Sequence, residues 1–125
     1  MFYVQANIGR NVSDPDLGPL TAYEWLQFKR SIEALLIGLY RDLSLDVTSP
    51  DPEVEFHLGN GVWLDVSEES AHLSILIPVA PAAKRDGYMA RVMTSFSRDL
   101  AARAHEFGQE SIALITGARL VTAKR

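Results

Sequence analysis

The sequence predicts an α+β fold: a ferredoxin-like plait (βαββαβ), with two helices packed on one face of an antiparallel sheet. Two observations carry this expectation. Stretches in which apolar and polar residues alternate are separated by stretches with apolar residues at helical spacing. Their order is strand, helix, strand, strand, helix, strand. Two split strand–helix–strand units with right-handed crossovers then give a sheet in the spatial order 4-1-3-2. An α+β meander with another strand order would use the same elements. At 125 residues the chain is a single α+β domain, 1–125, long enough to bury a sizeable core.

Phe2 to Ile8 is the first strand, with Phe2, Val4, Ala6 and Ile8 alternating with Tyr3, Gln5 and Asn7. Gly9 to Leu20 is a loop containing Asp14-Pro15-Asp16, Gly18 and Pro19. Thr21 caps the first helix, and Glu24, three residues on, completes a capping box. Trp25, Phe28, Ile32, Leu35, Leu36 and Leu39 form its apolar stripe, which predicts an end near Arg41. Leu43 to Val47 reads as a short extended piece before the Thr48-Ser49-Pro50-Asp51-Pro52 break. Glu53 to Leu64 is the second strand, interrupted at Gly59-Asn60-Gly61 by a bulge or tight turn. Ala71 to Val79 is the third, with Leu73, Ile75 and Ile77 on one face and His72, Ser74 and Leu76 on the other. After Lys84-Arg85-Asp86-Gly87 a second helix runs to about Glu106, on the stripe Met89, Val92, Met93, Phe96, Leu100 and Ala104. Gly108 is placed to stop it in a left-handed conformation. Ser111 to Thr116 is the fourth strand, and Gly117 leads into a further piece, Leu120 to Ala123.

The net charge is −4, which argues against non-specific nucleic-acid binding. Arg91, Arg98 and Arg103 on the second helix, with Arg119, Lys124 and Arg125, read as solvated surface. With no cysteine there is no disulfide, thiol catalysis or zinc–thiolate site. The first residues lack the pattern of a signal peptide, and the longest apolar stretch, Ala34 to Tyr40, is too short to cross a bilayer. A cytoplasmic protein with no nucleic-acid or membrane partner is expected. No phosphate or dinucleotide glycine loop is present, so no cofactor is expected.

The plait makes a geometric statement about function. Strands 1 and 2 run one way and strands 3 and 4 the other. The ends of the first pair and the starts of the second therefore share one rim. Three polar clusters fall there: Gly9-Arg10-Asn11, Trp63 with Glu68-Glu69-Ser70, and Phe107-Gly108-Gln109-Glu110-Ser111. The start of the first helix, with its free N–H groups, lies there too. Arg10, Asn11, Trp63, Glu68, Glu69 and Gln109 are the candidate ligand-binding residues. Arg10 can grip an anion, Asn11 and Gln109 can orient a polar ligand, and Trp63 can stack on a ring. Glu68 or Glu69 can serve as general base. Each has a structural alternative. Arg10 can pair with Glu68, Glu69 or Glu110, the Glu68-Glu69-Ser70 run can be a solvated turn, Gln109 can tie down a loop, and Trp63 can close the core.

A hairpin through a 65–69 turn puts His72 opposite Trp63 and His57 roughly 20 Å away, at ~3.3 Å per residue. On that register no metal site forms. The sheet's uncovered face carries Tyr3, Gln5, Asn7, Glu55, His57, His72, Ser74 and Trp63. It can be solvent, the floor of a ligand site or a wet dimer interface, and its open edges favour a homodimer.

The phrases Asn7-Ile8-Gly9-Arg10-Asn11-Val12, Gly59-Asn60-Gly61-Val62-Trp63, Glu68-Glu69-Ser70 and Phe107-Gly108-Gln109-Glu110-Ser111-Ile112, with the Trp25 helix between, resemble a group of small proteins of unknown function. These occur in actinobacterial phages and related bacterial genomes. The resemblance implies a phage or mobile-element origin and supplies no catalytic residue. Two functions follow as expectations. One is a binding protein that engages a host protein or a small polar or anionic ligand at the rim. The other is a small isomerase- or hydrolase-type enzyme with Glu68 or Glu69 as base and Arg10 as anion clamp.

Overall fold

The structure, a computed structural model, describes residues 1–46, 48, 50–63 and 66–118, and the side chains of these except at 15, 61–67 and 118. The elements are β1 (Phe2–Gly9), α1 (Ala22–Ser44), β2 (Glu55–Trp63), β3 (Val66–Ile77), α2 (Tyr88–Glu106) and β4 (Ala113–Ala118). The sheet is antiparallel in the order β2-β3-β1-β4, the order of the plait. The meander alternative is thereby excluded. The predicted Leu120–Ala123 piece lies outside the described residues.

Period-two alternation decides which face of the sheet is buried. Val4, Ala6, Ile8, Ala71, Leu73, Ile75 and Ile77 point to the helices and are buried. They meet Trp25, Phe28, Ile32, Leu36, Leu39 and Leu43 of α1, and Phe96 and Leu100 of α2. The other face carries Tyr3, Gln5, Asn7, Glu55, His57, His72 and Ser74, as the alternation predicts.

Thr21 starts α1 because its hydroxyl accepts the Glu24 N–H at 3.2 Å, while the Glu24 carboxylate accepts the Thr21 N–H at 2.9 Å. The Thr21 N–H first, and the Thr21 hydroxyl after it, hold the Glu24 carboxyl below its ordinary pKa of 4.5. A carboxyl depressed in the folded state adds stability above its unfolded pKa and loses it as pH falls through the folded value. Glu24→Ala is therefore expected to lower the melting temperature at neutral pH. The deficit should narrow as pH falls below about 4.5, which a pH series of thermal melts would read. Thr21→Ala is expected to cost about 1 kcal/mol in the same assay at neutral pH.

Several boundaries differ from expectation. α1 runs on to Ser44, because Leu43 extends the apolar stripe and is fully buried; no extended piece begins there. Leu45 closes the helix in the left-handed region, at φ 56°. The register runs unbroken through Gly59↔Ser70, Asn60↔Glu69 and Gly61↔Glu68, so the glycines make neither bulge nor turn. β3 starts at Val66, five residues before the predicted start, so Glu68-Glu69-Ser70 is strand and not a turn. The Trp63↔Val66 pairing replaces the predicted Trp63–His72 pairing. His57 consequently sits directly opposite His72, not some 20 Å from it. The physical reason is that the two glutamates find partners at the sheet's end, described below, so an acidic run can stay in a ladder. Among the described residues no group of three or more His, Asp or Glu side chains is placed to hold a metal.

Candidate functional site

β1 stops pairing with β3 at Gly9↔Ser70, while β2 and β3 continue together to Trp63↔Val66. The hairpin therefore extends about four residues, or ~13 Å, past the rim of the sheet. Trp63 is at its far end; its side chain lies outside the described set. Arg10, Asn11, Glu68, Glu69 and Gln109 stay at the rim, as the topology predicts. The alternation of strand side chains then divides them between two clefts on opposite faces.

Glu69 shares the helix-facing side with Ala71. Its carboxylate accepts from Arg10 Nη1 at 2.5 Å. Arg10 Nε also donates to the Leu20 carbonyl at 2.7 Å, and the Leu20 N–H returns a hydrogen bond to the Arg10 carbonyl at 2.8 Å. The Arg10 N–H continues the ladder to the Glu69 carbonyl at 2.9 Å. These bonds pin both ends of the 10–20 loop. They realise the Arg10–Glu69 pairing named above as the structural alternative. Arg10 also lines an open groove of about 510 Å³ with Ala22, Trp25, Lys29, Leu58 and Asn60. The groove exists because the helices leave the edge strand β2 uncovered: Leu58 points to the helical side yet is 65% exposed. Lys29 Nζ lies 5.2 Å from the Trp25 ring centroid, a cation–π contact on one wall.

Glu68 lies on the other side of the sheet with Ser70 and His72. Its carboxylate accepts the Asn11 N–H at 2.9 Å and rests directly over Gly9. A Cβ at Gly9 would sit 2.5–2.6 Å from the carboxylate atoms, so only glycine leaves room for this seat. Gln109 crosses from the α2–β4 connection, and its Nε2 donates to the Asn11 carbonyl at 2.9 Å. Asn11 is thus held from both sides, by Glu68 through its N–H and by Gln109 through its C=O. The Gly108 carbonyl accepts both the N–H and the hydroxyl of Ser13, at 2.8 and 2.9 Å. Gly108 takes φ 70° after α2, as its position predicts, and lies against Val12. Behind it Phe107 stacks on the buried Phe28 at 4.7 Å.

These contacts frame a cleft of about 290 Å³ at the end of β1, β3 and β4, near the lower end of small-ligand sites. Asn7, Gly9, Asn11, Glu68, Ser70, His72, Gln109, Glu110 and Ser111 line it. Glu68 is half-buried and Glu110 exposed. Among the described residues, no lysine or arginine joins them in the lining. The arrangement offers carboxylates, amides and hydroxyls to a ligand that is neutral or cationic. Sequence reasoning named Glu68, Asn11 and Gln109 for this rim. It left Asn7 and His72 on the open face and gave Gly9 no role of its own. The available signal was parity: Asn7, Gly9, Glu68, Ser70 and His72 share one face once β3 starts at Val66.

No protein-family model and no curated protein matches the chain. Among solved structures it is similar to a phage SAM lyase in the apo state, at 16% identity and a TM-score of 0.51, covering 93% of this chain and 78% of that one. It is equally similar to a phage SAM lyase in complex with S-methyl-5'-thioadenosine, at 17% identity and a TM-score of 0.51, covering 93% of this chain and 79% of that one. At this identity the likeness is one of fold: helices on one face of an antiparallel sheet, wound in an α+β chain.

Proposed function

We propose that this chain is a phage or mobile-element protein that binds a small adenosyl thioether or sulfonium in the Glu68–Gln109 cleft. The observation that carries the reading is the cleft's charge. Among the described residues its carboxylates have no lysine or arginine beside them in the lining, and the one fixed by a backbone N–H, Glu68, faces the space. Arg10, the expected anion clamp, is engaged by Glu69 on the opposite face. An acidic cleft suits S-adenosylmethionine, whose sulfonium is positive, better than it suits a phosphate or carboxylate. The fold supports the ligand class, since a protein of the same architecture holds S-methyl-5'-thioadenosine.

Calorimetric titration tests this reading. The wild-type protein is expected to bind S-adenosylmethionine, and Glu68→Gln to weaken that binding about tenfold or more, the loss of a charge-assisted contact. S-methyl-5'-thioadenosine is neutral at sulfur and should lose less. Wild-type protein that binds neither compound, or a Glu68→Gln variant with unchanged affinity for the sulfonium, would overturn the proposal.

A second reading is an enzyme that cleaves S-adenosylmethionine, favoured by the placement of the Glu68 carboxylate beside the cleft on a lyase-like architecture. Glu68, as base, would take a proton from the carbon next to the one bonded to sulfur. That C–H electron pair becomes a C=C bond as the C–S bond breaks with its own pair left on sulfur, giving S-methyl-5'-thioadenosine and an unsaturated amino acid. Release of S-methyl-5'-thioadenosine during incubation, absent with Glu68→Gln, separates this reading from simple binding.

A further inference from the structure

Two amides line the cleft, and the structure fixes which end of each faces inward. On the open face of β1, Tyr3, Gln5 and Asn7 form a directed chain. The Tyr3 hydroxyl donates to Gln5 Oε1, and Gln5 Nε2 donates to Asn7 Oδ1 at 2.8 Å. With Gln5 Oε1 turned to the Tyr3 hydroxyl, the Gln5 NH2 points onward along the strand. That NH2 in turn claims Asn7 Oδ1 and leaves the Asn7 Nδ2 donors for the cleft. Gln109 has the opposite sense. Its Nε2 is spent on the Asn11 carbonyl, so its Oε1 is the end left to accept. Both residues line the cleft, whereas Tyr3 and Gln5 stand outside its lining.

We propose that Asn7 and Gln109 are the pair that reads the base in this cleft, and that Tyr3 and Gln5 are positioning residues that set its sense. This rests on the adenosyl reading given above. A 6-aminopurine presents an NH2 donor at position 6 beside a ring-nitrogen acceptor, N1 on one edge or N7 on the other. Gln109 Oε1 takes the donor and Asn7 Nδ2 serves the acceptor. A 6-oxopurine carries an oxygen at position 6, which sets acceptor against acceptor at Gln109. A site built on such a pair rejects the analogue because its polar groups are left unpaired.

The test is calorimetric titration with S-methyl-5'-thioadenosine and S-methyl-5'-thioinosine, which differ only at the purine edge. Wild-type protein is expected to prefer the amino compound about tenfold or more. Tyr3→Phe keeps the ring and removes the hydroxyl that meets Gln5 Oε1 at the head of the chain. It is expected to shrink the preference several-fold while the melting temperature and overall fold hold. Asn7→Asp, which removes the donor inside the cleft, is expected to lose the amino compound directly, so the proposal does not hang on one variant. Equal affinity of the wild type for the two thioethers would overturn this inference and leave the adenosyl reading standing. An unchanged preference in both variants would do the same. Failure of wild-type protein to bind either thioether or S-adenosylmethionine would overturn both.

Discussion

Phe28→Ala is expected to destabilise the protein by about 3–5 kcal/mol, the usual cost of emptying a large buried aromatic site. Phe28 is fully buried in α1, packs edge-on to Trp25 at 6.2 Å and stacks on Phe107 at 4.7 Å. Such a loss is a large share of the total stability of a domain of this size. Urea unfolding should show a lower midpoint at an unchanged slope. The effect should also reach the cleft. Phe107 immediately precedes Gly108 and Gln109, which tie down Ser13 and Asn11. Phe107→Ala removes the half-buried partner and leaves Phe28 in place. Its stability cost is expected to be smaller, with the rim loosened all the same. Equal costs for the two variants would mean that the stack, and not burial of Phe28, dominates this corner of the core.

Gly9→Ala is expected to separate stability from binding. The added methyl collides with the end of the Glu68 side chain, which is flexible and can swing away. The cost in stability is then about one partly exposed hydrogen bond, roughly 1 kcal/mol. The cost in binding should be large, since the carboxylate leaves its seat on the Asn11 N–H and moves into the space a ligand would use. Affinity for S-adenosylmethionine is expected to fall at least as far as in Glu68→Gln. Thermal melts beside calorimetric titrations check the two halves of this expectation together. A variant that melts like wild type and binds like wild type would show that the Gly9 seat does not matter to the site.

The legible part of this molecule is what alternation and helical spacing can specify. Val4, Ala6 and Ile8 against Leu73, Ile75 and Ile77 define the buried face, and the capping box at Thr21 marks the start of α1. With two crossovers, these suffice for the strand order and for the meeting of Arg10, Asn11 and Gln109 at one rim. The boundaries of β3 were not legible, because Glu68 and Glu69 read as turn residues when considered locally. Their place in a strand depends on Asn11 and Arg10, which lie 57 and 59 residues away in sequence. A five-residue error there moved His72 opposite the wrong residue and hid the pairing with His57. Parity, moreover, sorts the rim residues onto two faces. Proximity in the topology placed Arg10 and Glu68 in one site, whereas alternate side chains on β3 send Glu69 with Arg10 to the helical side and Glu68 to the other.

The central claim is that a ligand enters the cleft on the open face and not the Trp25–Arg10 groove behind it. Amide chemical-shift mapping during titration with S-adenosylmethionine tests this most directly. Saturable shifts are predicted at residues 7–13, 68–72 and 109–113, with little change at 22–29 and 58–60. Shifts concentrated in the second group, or none at saturating ligand, would contradict the account.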